Sequence, residues 1–378
     1  ALSLELLSAR LQAERTDGHA THLTLTTLAS ELQAQGKYDE AEPLYREALE
    51  VQRETHGSRD PSTLISIGNL GVLLNVKGDL AAAEPLLREA VEGSRETLGN
   101  RHPDTLRSIS NFSLLLQAQG NLAAAEQLLR EALDGQRETL GTRHPSTLTS
   151  MNNLAGLLAD KGDLAAAELL QREALEGERE TLGNRHPHTL ISVGNLGVLL
   201  AEKGDHAAAE LLYREALDAK RATLGSQHPE TLISLNNFGI HLRAKGDFAA
   251  AEPLYREMVQ VERETLGSRH PSTLTSINNL GMLLQAKDDI AAAEPLQREA
   301  MEGMRETLGS RHPDTLIFIN NLGVLLQTKG DREAAEPLLR EAVEGRSETL
   351  GRGHPDTLAS IDRLDALLQK MSDLTVAI

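Results

Sequence analysis

The chain has 378 residues, of which 40% are hydrophobic and only 2% aromatic, with a formal net charge of −18 and no cysteine. This balance excludes disulfides and thiolate metal sites, and it argues against nucleic acid or an anionic membrane as the main partner. No apolar run of about 18 residues and no signal peptide are visible, so membrane insertion is not expected and the cytoplasm is the expected compartment.

In chain order, residues 1–14 pattern as the second helix of a pair whose first helix is missing. Residues 1–18 are therefore expected to be a partial repeat that opens at Ala1 inside a unit. Eight full 42-residue units follow over 19–354, starting at His19, Pro61, Pro103, Pro145, Pro187, Pro229, Pro271 and Pro313. The dipeptide His-Pro marks the phase from His102-Pro103 to His354-Pro355, and Asp60-Pro61 holds it one unit earlier. Strict spacing without insertion means one supersecondary unit copied and stacked.

Residues 61–102 show the unit. Asp60 is a polar cap and Pro61 occupies the first helical position, where its missing N–H is harmless. Helix A then runs to about Lys77, with Ile67, Leu70, Gly71 and Leu74 on one packing stripe. In Lys77-Gly78-Asp79 the lysine suits the negative helix end, the glycine takes a left-handed position, and the aspartate caps helix B. Glycine recurs there at Gly36, Gly120, Gly162, Gly204, Gly246 and Gly330, but Asp288 breaks the series. A left-handed aspartate costs on the order of 1 kcal/mol relative to glycine. Helix B runs from about Leu80 to Leu98, with Ala83, Leu87, Ala90 and Val91 inward. Glu84 and Arg88 form a solvated i, i+4 pair that recurs from Glu42/Arg46 to Glu336/Arg340. Pro43, Pro85, Pro253, Pro295 and Pro337 lie inside helix B and predict a bend there.

The chain closes with a capping helix in 355–378: a ninth helix A over 355–370, and a partner helix that would begin near Asp373. Asp365 stands where other units carry a small packing residue, which marks a solvated end and fits a natural C-terminus. The expected fold is all-α, a right-handed α-solenoid of antiparallel helix pairs spanning 1–378 as one domain.

Ile277-Asn278-Asn279-Leu280-Gly281, followed by Lys287, Asp289, Ala293 and Ala300, resembles the tetratricopeptide pattern. With Leu-Gly-x-Arg-His-Pro-x-Thr-Leu in the loop and Asn-Asn-Leu in helix A, the chain resembles the kinesin light chain type of that repeat. The resemblance implies a scaffold that binds peptide segments of partner proteins along a concave groove lined by helix A. The heptad coiled coil of such light chains and a phosphate-binding glycine loop are both missing from this sequence.

Helical geometry puts Ile65, Asn69, Val72 and Val76 opposite the packing stripe, on the groove side. Asn69 recurs as Asn111, Asn153, Asn195, Asn237, Asn279 and Asn321. Such a ladder of amides is suited to hydrogen-bonding the main chain of an extended peptide. It is equally suited to fixing the packing of neighbouring repeats, and the sequence leaves both readings open. The column before it varies, with Gly68, Ser110, Asn152, Gly194, Asn236, Asn278 and Asn320, and it is the expected source of specificity. Arg107 and Arg243 project cations into the groove, so a partly apolar peptide with an acidic residue or two would suit it.

No catalytic or metal site and no cofactor is expected. Seven of the histidines lie in His-Pro loops a whole repeat apart, too far to share a metal. The carboxylates recur with the repeat beside arginines, as solvated faces do. The expected function is a non-enzymatic interaction scaffold holding a protein or peptide partner. The alternatives are a regulatory arm of a larger signalling ATPase, or a structural unit that self-associates end to end.

Overall fold

The computed structural model describes residues 8, 9, 11, 12 and 22–376. Among them are seventeen α-helices and no strand, which makes the chain an all-α helical-repeat solenoid. It divides into two compact units, residues 1–203 and 204–378. The first holds α1 (His22–Ala34), α2 (Tyr38–His56), α3 (Pro61–Val76), α4 (Leu80–Leu98), α5 (Pro103–Ala118), α6 (Leu122–Thr139), α7 (Pro145–Asp160), α8 (Leu164–Thr181) and α9 (Pro187–Glu202). The second holds α10 (His206–Leu224), α11 (Pro229–Ala244), α12 (Phe248–Thr265), α13 (Pro271–Ala286), α14 (Ile290–Leu308), α15 (Pro313–Lys329), α16 (Arg332–Thr349) and α17 (Pro355–Val376). Odd-numbered helices are the A helices and even-numbered the B helices. Within each unit every helix packs on the next, and A helices also touch in the pairs α3–α5, α5–α7, α13–α15 and α15–α17. The partial repeat expected over 1–18 lies outside the described residues, apart from 8, 9, 11 and 12, which are helical.

The helix boundaries follow the capping chemistry. Asp60 accepts from the Ser62 N–H at 2.9 Å. His102, which takes the aspartate's place in the next unit, accepts from the Asp104 N–H through Nδ1 at 3.2 Å. Gly78 turns left-handed at φ 83°, and Asp288 is the one non-glycine residue with positive φ among the described residues, at 65°. Asp289 still caps α14 by accepting from the Ala292 N–H at 3.1 Å.

Leu64, Ile67, Leu70 and Leu74 of α3 are buried against Ala83, Leu87, Ala90 and Val91 of α4. Gly71 allows that approach, because a Cβ there would sit 2.7 Å from Leu87 Cγ. Each of α2, α4, α12, α14 and α16 stays one continuous helix through its internal proline.

At the C-terminal end α17 runs from Pro355 past 370 to Val376. Ser372 stands in phase with Gly330, so the left-handed residue that turns the chain elsewhere is absent.

Candidate functional site

The site is built on the face of helix A that turns away from the packing stripe. Ile233 and Ile240 of α11 lie on it, 51% and 42% exposed, so apolar surface is left open to solvent. Three clefts open along this face. One of about 520 Å³ in the first unit is lined by Asn69, Val72, Val76, Arg107 and Asn111, with Tyr38 and Tyr45 of α2. The other two are in the second unit. A cleft of about 590 Å³ gathers Arg243, Met282, Asn320, Asn321, Val324 and Arg363. A cleft of about 560 Å³ between α11 and α13 is lined by Ile233, Asn236 and Asn279 over Met258 and Glu262 of α12.

The structure separates the two asparagine columns that the sequence sets side by side. In the first, Asn69, Asn111, Asn153, Asn237, Asn279 and Asn321 are half-buried and Asn195 is exposed. Asn321 makes long contacts, at 3.5 Å, to Asn278 Oδ1 and Met282 Sδ. The other six amides enter no side-chain hydrogen bond among the described residues.

The second column faces the following helix A. Asn152 donates to Ser192 at 2.8 Å and to Glu178 Oε1 at 3.0 Å, and it accepts from Gln171 at 2.9 Å. Ser110 meets Ser150 at 3.4 Å. Asn320 accepts from Ser360 at 3.4 Å and from Arg363 at 3.3 Å. Asn278, itself buried, points its amide at Met282 Sδ. Gly68 is buried in this column and Gly194 is half-buried. Asn236 is the exception, because its Oδ1 is buried with no donor.

Arg107 turns to Asp104 one helical turn away, at 3.0 Å, and stays half-exposed at the cleft it lines. Arg243 shares its cleft with Arg363, which replaces the ladder asparagine on α17.

Sequence reasoning missed a third column, on helix B, beneath these positions. It reads Gln52, Ser94, Gln136, Glu178, Lys220, Glu262, Met304 and Arg346, all buried. Its members bond to the following helix A: Lys220 to Glu230 at 3.0 Å, and Arg346 to Ser360 at 2.7 Å. Where the column turns apolar at Met304, the usual serine of the next helix A becomes Phe318, also buried. Burial pushes the carboxyls of Glu178 and Glu262 above the usual range, against the lowering pull of their serine partners. Comparing the helices at the 42-residue period would have exposed this column, since it changes charge amid near-identical neighbours.

Tyr213, Phe238 and His241 form a buried cluster in the second unit, with Tyr213 and His241 ring centroids 5.0 Å apart. Burial lowers the His241 pKa. His186 and His188 stack at 5.4 Å, and no group of three His, Cys, Asp or Glu side chains able to hold a metal occurs among the described residues. No helix among them is long and apolar enough to cross a membrane.

The family model of the tetratricopeptide repeat matches residues 20–92, 66–138, 114–179, 146–222, 230–306 and 272–348. Among solved structures, a kinesin-light-chain-type protein of nearly identical TPR-like repeats from Podosopora anserina is 29% identical, with a TM-score of 0.51. That match covers 55% of this chain and 98% of the other. BtubC (BKLC) from P. vanneervenii is 24% identical with a TM-score of 0.53, over 61% of this chain and 92% of its own, a likeness of fold. No curated protein matches the chain.

Proposed function

Because this chain belongs to the tetratricopeptide repeat family, commonly a protein-interaction scaffold, we propose that it holds an extended segment of a partner protein along the exposed face of helix A. The observation that carries this reading is the pair of ladder amides Asn237 and Asn279 in the second unit, which make no side-chain hydrogen bond among the described residues, beside exposed isoleucines. A backbone laid along that row would gain both a donor and an acceptor at each asparagine. Its apolar side chains would cover Ile233 and Ile240, and an acidic side chain would fit between Arg243 and Arg363. The role is non-enzymatic, and a cysteine-free chain suits a reducing compartment such as the cytoplasm.

The test is selection of 12-residue peptides from a random library against the whole chain. Their affinities are then measured on the wild type and on the double variant Asn237→Ala/Asn279→Ala. The reading expects affinity to fall at least about tenfold, as for two lost hydrogen bonds, with the melting temperature unchanged. A variant that melts earlier while binding equally well would assign the ladder to repeat packing instead.

A further inference from the structure

The cleft between α11 and α13 differs in sign from the other two. Its charged lining residues are Glu262 and Asp314, and no Lys or Arg lines it. Its walls are apolar, with Leu232, Ile233, Met258, Leu266 and Met304.

Its floor is a polar network left open. Two repeats earlier the same positions are closed: Gln171 donates to Asn152, and Asn152 donates to Glu178. In the later repeat Gln171 becomes Tyr255, Asn152 becomes Asn236 and Glu178 becomes Glu262. The tyrosine supplies no amide to this floor, and the Asn236 Oδ1 and Glu262 Oε2 of the lining are buried without a partner. Glu262 is 7% exposed. Ser276 is its hydroxyl partner and His270 the charge that acts on it, while Arg263 is engaged with Glu299 at 2.7 Å and Arg269 with Glu306 at 3.2 Å. A buried carboxylate without a cation is costly, and burial accordingly raises the Glu262 pKa. The closing torsion of a glutamate is soft, so a small rotation presents either oxygen to the cleft.

We propose that this cleft receives a lysine or arginine side chain of the bound partner segment, with the cationic head at Glu262 and Asn236 and the aliphatic stem along Met258, Leu232 and Ile233. The inference rests on the scaffold reading above and gives the partner a chemistry: a basic residue here, in the same unit whose other cleft presents Arg243 and Arg363 to an acidic one. A cleft of about 560 Å³ has room for such a side chain and its immediate neighbours. Long cationic side chains lay their methylenes on apolar surface while the head seeks polar partners.

The test labels the methionine methyls with ¹³C in the whole chain. Met258 and Met304 report the cleft, and Met282 reports the one lined by Arg243. Three probes are titrated at millimolar concentration: the N-acetyl methylamides of lysine, arginine and norleucine. The proposal expects saturable shifts at Met258 and Met304 with lysine or arginine and not with norleucine. It expects E262Q to weaken them at least about tenfold, the loss of a charged hydrogen bond. Equal shifts with norleucine, unchanged shifts in E262Q, or no shift at either methyl would overturn it. The contrast between lysine and norleucine is read on the wild type and needs no variant. A library-selected peptide that moves Met282 but neither cleft methyl would remove this pocket and leave the scaffold reading standing.

Discussion

Lys77 Nζ lies 2.7 Å from Glu42 Oε2, so the lysine that ends α3 reaches back to α2 of the preceding repeat. Glu42 also takes Arg46 at 2.8 Å, which makes one carboxylate the hinge of an intra-helix and an inter-repeat pair. The arrangement recurs at Glu210 with Lys245 and at Glu294 with Lys329, both at 2.7 Å. The sequence suggests only the i, i+4 half, because the lysine is 35 residues away along the chain.

These shared carboxylates predict an acid limb of stability. Lys77 and then Arg46 hold Glu42 below its ordinary 4.5, and Lys287 and then Arg256 do the same for Glu252. A carboxyl lowered by folding stabilises above its unfolded pKa and loses that contribution as pH falls through the folded value. The melting temperature should therefore decline as pH drops below 4.5, and less steeply in Glu42→Gln/Glu252→Gln. The pairs are largely surface pairs, so the effect should shrink in high salt. Circular dichroism melts across pH and salt check both.

Glu262 predicts the opposite sign. Its pKa is raised by burial, so its contribution is present below the unfolded value and lost as pH rises through the folded one. Glu262→Gln should raise the melting temperature at neutral pH, and the gain should vanish below 4.5. A glutamine variant that melts earlier at pH 7 would show that the contacts of the carboxylate with Ser276 and His270 outweigh its burial.

Asp288 sits at φ 65°, where its siblings are glycine. Asp288→Gly should stabilise the chain by about 1 kcal/mol, read as a shift in the urea midpoint.

Two glycines on helix A should answer alanine in opposite ways. A Cβ at Gly71 meets Leu87 Cγ at 2.7 Å, so Gly71→Ala should destabilise by about 1–3 kcal/mol. Gly156 of α7 has open space around it, so Gly156→Ala should stabilise by roughly 0.5–1 kcal/mol. Denaturant melts of the two variants give the comparison directly.

Adjacent asparagines on α7 should divide in the same way. Asn152→Ala leaves Gln171 and Glu178 without their shared amide and should cost about 1–3 kcal/mol. Asn153→Ala removes an amide that makes no hydrogen bond among the described residues and should change stability by less than about 0.5 kcal/mol. Equal losses would place both columns in repeat packing.

The sequence by itself determined the repeat, the helix pair and its boundaries. Those are local matters: Asp60-Pro61 starts a helix, Gly78 ends one, and the period copies the result, so the seventeen helices among the described residues follow the phase. It also gave the ladder face, because which side of a helix is apolar follows from spacing alone. At the C-terminus the period alone does not set where the last helix ends, because Ser372 stands where other units carry the turn glycine. What only the tertiary structure decided is which polar groups find partners. Asn152 and Asn236 occupy equivalent positions in the repeat, yet one is bonded on both sides and the other is left with a bare acceptor. The difference lies in what stands across the helix interface, Gln171 or Tyr255, and a hydrogen bond depends on a distance that no spacing along the chain encodes.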